Sequence, residues 1–105
     1  MNDFFDDQLS AQQRVRQHLK IEREAEDLKH VMSSEQGRRF IWLQLTISGV
    51  FSSSFSHDPY VTAFNEGNRN RGLALFNDIM TICPERYLLM AEEARKEQEK
   101  NNEFV

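Results

Sequence analysis

The chain predicts an all-α fold of about four helices, with a compact helical core over residues 34–90 between a long amphipathic N-terminal helix and a charged C-terminal helix. Three observations lead there. Hydrophobic residues recur at steps of three and four, both prolines stand where helix starts tolerate them, and no stretch alternates convincingly as a strand would. The 105 residues suffice for a single domain with an adequate core. Within it, residues 1–33 read as a helical arm and residues 91–105 as a charged helical tail.

The first helix is expected from about Ser10 to Met32, where Ala11, Val15, His18, Ile21, Ala25, Leu28 and Met32 form one narrow apolar line. The rest is Gln, Arg, Glu, Lys and Asp. So thin a stripe suits packing at a domain edge or on another chain. Ser33-x-x-Gln36 has the form of a capping box and predicts the second helix start. From Phe40 to Gly49 that helix is apolar nearly all round, so neighbours are expected to enclose it on several sides. Gly49 supplies a stop, and Val50, Phe51 and Phe55 follow among serines that form a loop.

Asp58-Pro59 opens the third helix, the carboxylate capping free N–H groups and the proline losing no bond at the first position. Val61, Phe64, Leu75, Phe76, Ile79 and Cys83 are its expected buried face. Gly67 and Gly72 each cost about 1 kcal/mol there relative to alanine, which close approach of a neighbouring backbone would offset. Pro84 starts the fourth helix, apolar through Tyr87, Leu88, Met90, Ala91 and Ala94, then charged and fraying into Asn101-Asn102.

The formal charge of −4 and pI near 5.3 disfavour wholesale binding to phosphate backbones. The excess is terminal: residues 1–33 hold seven acids and five bases, residues 91–105 five and three, and residues 34–90 five of each. Arg38/Arg39 and Arg69/Arg71 make two pairs in the middle. If the second and third helices run antiparallel about the loop, Arg38 lies level with Asn70, and both pairs meet Glu66. A polar network with Glu66 as partner is one expectation. An arginine surface for a partner's carboxylates or a phosphate is the other, so nucleic acid is a possible though less favoured partner.

Catalytic and metal constellations are weak. His18 with Glu22 and Glu26 with His30 are four-apart pairs that fall short of a closed metal site. His57-Asp58 suits turn chemistry, and Cys83 suits a small buried hydrophobe better than a nucleophile. A single cysteine excludes an internal disulfide framework and a multi-cysteine zinc site, and points to a reducing compartment. The acidic start lacks the pattern of a secretion signal, and no apolar run is long enough to span a bilayer. The expectation is a protein without catalytic residues, metal or cofactor.

Gly37-Arg38-Arg39-Phe40-Ile41-Trp42, Gly49-Val50-Phe51, Ser54-Phe55, Ala63 through Leu73 and Pro84-x-x-Tyr87-x-x-Met90 with Glu92-Glu93 carry a resemblance. Over about residues 37–93 the chain resembles a small family, known mainly by gene neighbourhood, encoded in the virion gene clusters of short-tailed bacteriophages, including the Bordetella tropism-switching phage. The resemblance implies a virion component or assembly factor with other phage structural proteins as partners, part of a larger assembly, in the virion or the host cytoplasm. It selects Arg38, Arg39, Glu66, Gly67, Arg69, Asn70 and Gly72 as an architectural or contact motif. Arg71 departs from the pattern, standing where an apolar residue is usual.

Overall fold

The computed structural model describes residues 3–103, with side chains from Ser10 onward; the acidic start at Met1 to Asp7 is outside the described side chains. Four helices follow in order: α1 (Asp3–Met32), α2 (Glu35–Ile47), α3 (Pro59–Ile82) and α4 (Pro84–Glu103). No strand occurs among the described residues. The fold is all-α with four helices, as the apolar spacing predicts.

Sharp helix ends explain the element order. Ser34, not Ser33, is the N-cap of α2, accepting the Gly37 amide at 3.0 Å, while the Ser33 hydroxyl turns back to the His30 carbonyl. The expected capping box therefore gives way to a simple serine cap one residue later, with Gly37 in the place of the reciprocal Gln, because the last turn of α1 claims Ser33 for its own free carbonyls. Gly49 takes a φ of +80°, a left-handed conformation that stops α2 without the strain a side chain would bring. Asp58 caps α3 through the Tyr60 amide with Pro59 at the first turn, as expected. The fourth helix continues to Glu103 instead of fraying, with Arg95 held by Glu92 and Glu99 one turn to either side.

All four helices contribute to one small core: Met32, Ile41, Leu45, Ile79, Cys83 and Met90 are buried. Leu28, Leu75 and Phe76 pack against it, and Phe76 meets Tyr87 edge to face at 5.2 Å. The core thus starts before residue 34, since α1 contributes Leu28 and Met32. Upstream of Ala25 the side chains of α1 are exposed from Ala11 onward, so most of the expected apolar line touches nothing. A 30-residue helix is about 45 Å long. Anchored at one end, it gives the molecule extents of 74 × 39 × 15 Å and a radius of gyration of 19.5 Å, against about 13 Å for a globule of this length.

The 15 Å dimension corrects the expectation for α2. At interaxial distances of about 8–10 Å the body is no more than two helices deep, and no layer remains to cover the outer side of α2. Arg38, Ile41, Leu45 and Ser48 face inward, whereas Phe40, Leu43 and Ile47 are 59%, 52% and 61% exposed. The start of α3 departs in the same way: Val61 and Phe64 lie in solvent, whereas Leu75, Phe76, Ile79 and Cys83 of the expected face meet the core.

Candidate functional site

The Gly37-Arg38-Arg39 element lies at the turn between α1 and α2. Here α1 ends, and its last carbonyls have no helical partner. A Cβ on Gly37 would overlap the Val31 carbonyl, so only glycine lets the second helix start this close. Arg38 is 8% exposed, and its Nη1 donates to the Met32 carbonyl at 3.0 Å. Its Nε donates to Glu93 Oε1 on α4 at 2.5 Å. One guanidinium thus places positive charge at the C-terminal end of α1 and ties α1, α2 and α4 together. Arg39, next in sequence, is exposed and has no ion-pair partner among the described residues.

The second element closes the other end of α2. Asn68 Nδ2 donates to the Ile47 carbonyl at 3.0 Å, and the Ser48 hydroxyl donates to the Leu45 carbonyl at 2.8 Å. Gly72 is buried where a Cβ would overlap the Ser48 hydroxyl and a Val50 methyl. The close approach is there, but it comes from side chains and not from the expected neighbouring backbone. Gly67 has open space around it, so no such gain offsets its helix cost. Asn65 donates to the Ser54 carbonyl at 3.2 Å, and the Ser54 hydroxyl donates to Glu66. Ser56 and Thr62 add two further bonds between the loop and α3.

The expected meeting of both arginine pairs with Glu66 does not form. The first two turns of α3 hold the loop, not α2, so the register slides and Gly72 falls beside Ser48. Ten residues earlier on α2, Arg38 lies on the far side of Gly72 from Glu66 and finds Glu93. Of the seven motif residues, Arg38, Glu66 and Gly72 make internal contacts, while Arg39, Gly67 and Asn70 are exposed. Arg69 is half-buried, with its Nε buried and unpartnered. Arg71 is exposed, in keeping with its departure from an apolar position.

Sequence reasoning missed the role of Glu93, because its pairing depends on how α4 returns across α2. It also missed the outward stripe of Phe40, Leu43 and Ile47, whose spacing reads equally well as core. Around the stripe, Gln36, Arg39, Trp42 and Thr46 line a shallow groove, and Trp42 stacks on Phe51 at 5.0 Å. Single exposed apolar residues are ordinary, whereas here three large ones share one helix face. His18 and Glu22 pair at 2.9 Å on the exposed arm, Glu26 turns to Lys29 instead of His30, and no cluster of three or more metal-ligating side chains occurs among the described residues. None of the described helices is long and apolar enough to cross a membrane.

No curated protein and no solved structure matches the chain. A family profile does, over residues 28–92, starting at the first α1 side chain that packs on the core and ending on α4. That span exceeds half of the chain and holds both helix-closing elements, so the chain belongs to the Bbp19-like phage protein family.

Proposed function

We propose that this phage protein is a non-enzymatic virion component or assembly factor that works by packing against other phage structural proteins. The observation that carries the reading is the stripe of Phe40, Leu43 and Ile47, more than half exposed on a helix whose opposite face is core. Complete burial of side chains this size is favourable by about 1.5–3 kcal/mol each, which a docking chain supplies where this fold does not. The exposed length of α1 offers a second point of attachment at one end of the body. Nucleic-acid binding has less support: Arg38 is neutralised by Glu93, and Arg39 and Arg69 line separate pockets.

The test is incorporation into particles. Phage carrying Leu43→Glu should yield folded protein with unchanged helical circular dichroism but lose it from purified virions, or arrest at an incomplete particle. Wild-type protein that stays monomeric at high concentration, crosslinks to no structural protein and is absent from virions and assembly intermediates would refute the reading.

A further inference from the structure

Arg69 lines a cavity at the end of α2. Its Nε is buried and has no hydrogen-bond partner, and no carboxylate among the described residues pairs with its guanidinium. Because Nε is covered by protein, the outer nitrogens of the guanidinium are the donors that an incoming acceptor can meet. The cavity, about 190 Å³, lies between the end of α2, the serine loop and α3, and Arg69 is the one charged side chain lining it. Around it Asn68 spends one amide hydrogen on the Ile47 carbonyl and keeps the other. The Ser53 hydroxyl accepts from the Phe55 amide, which leaves its own hydrogen free to donate. The hydroxyls of Ser48 and Ser54 are already directed elsewhere, to Leu45 and Glu66.

We propose that Arg69, Asn68 and Ser53 form a socket for one carboxylate of a docking protein chain, at the end of the apolar stripe on α2. A ligand that only accepts, carries one negative charge and presents two oxygens matches a guanidinium flanked by neutral donors. Glu66, one turn before Arg69, adds a nearby negative charge that opposes a dianionic phosphate more than a carboxylate. Ile47 belongs to both the stripe and the cavity wall, so an acidic residue beside apolar ones on a partner helix spans the two. Charge complementarity agrees: Arg39 at the other end of the stripe and Arg71 beside Ile47 are also exposed. The inference rests on the protein-contact reading and adds the chemistry of the partner.

The full chain titrated with sodium acetate, followed by NMR, tests it. Acetate should move the Arg69 Nε–H resonance and the amides of Gly49 and Ser53 along a saturable curve, whereas chloride and inorganic phosphate at matched ionic strength should not. Arg69→Gln should weaken acetate binding at least about tenfold, and Ser53→Ala about threefold. Arg69→Lys keeps the charge but not the planar fork and should fall between wild type and Arg69→Gln; it decides the matter if Arg69→Gln loses its helical signal. Acetate acting no differently from chloride, phosphate binding more tightly than acetate, or binding indifferent to Arg69 overturns the socket. None of these readings involves Leu43, so the socket can fail while the docking stripe stands, and the reverse.

Discussion

At the scale of single residues, the two α3 glycines separate packing from propensity. Gly72→Ala places a methyl onto Ser48 and Val50, and overpacking of this kind costs about 1–3 kcal/mol. Gly67→Ala meets open space and should stabilise the protein by about 0.5–1 kcal/mol through helix propensity. Denaturant midpoints moving in opposite directions would show it. Arg38 offers a second case. Glu93→Gln leaves a guanidinium, 8% exposed, with its Met32 bond but without its anion, and should cost about 2 kcal/mol by the same measurement. Cys83 offers a third, since burial, and then the charge of Glu85, push its thiol up from the ordinary value. The native thiol keeps its proton where the unfolded one loses it. Stability from this group is therefore intact below the unfolded value of about 9 and falls as pH rises through the native one. Alkylation of native protein at pH 8 should be slow, and should become fast in denaturant.

At the scale of elements, α2 has two faces with opposite sensitivities. Leu45 is fully buried, and Leu45→Ala should lower stability by about 3 kcal/mol with association left intact up to the unfolding transition. Leu43→Glu lies on the outer face and should leave stability within about 0.5 kcal/mol while removing association. Equilibrium unfolding read beside crosslinking to particle proteins distinguishes the two. The end of α2 and the starts of α3 and α4 were legible, because Gly49, Asp58-Pro59 and Pro84 act through bonds to their immediate neighbours, whereas the start of α1, expected near Ser10, lies at Asp3. The choice between Ser33 and Ser34 was not, since both serines can satisfy a free helix end and the path of the chain decides which end each one meets.

At the scale of the molecule, the arm and the body are held by different physics. The side chains from Ala11 to Glu24 are exposed and contribute little to the core, so removing residues 1–24 should leave the unfolding midpoint of the remainder nearly unchanged. The radius of gyration measured by X-ray scattering should fall well below 19.5 Å in the same variant. A large loss of stability would instead mean that the arm supports the body. The flatness of the body has the opposite consequence, because it leaves apolar area on α2 and early α3 uncovered by the described residues.

By itself the sequence determined the helical class, the order of the four helices, the caps at Asp58-Pro59 and Pro84, and the helical character of the polar stretch from Glu66 to Gly72. These follow from periodicity and from bonds a few residues apart. Tertiary structure alone decided that Arg38 pairs with Glu93, that Glu66 serves the loop, that Gly72 but not Gly67 meets a neighbour, and that Phe40, Leu43 and Ile47 face outward. An apolar helix face carries no mark of whether its cover comes from its own chain or another. That depends on how many layers the chain can build, and the extended arm leaves too little chain to close this one.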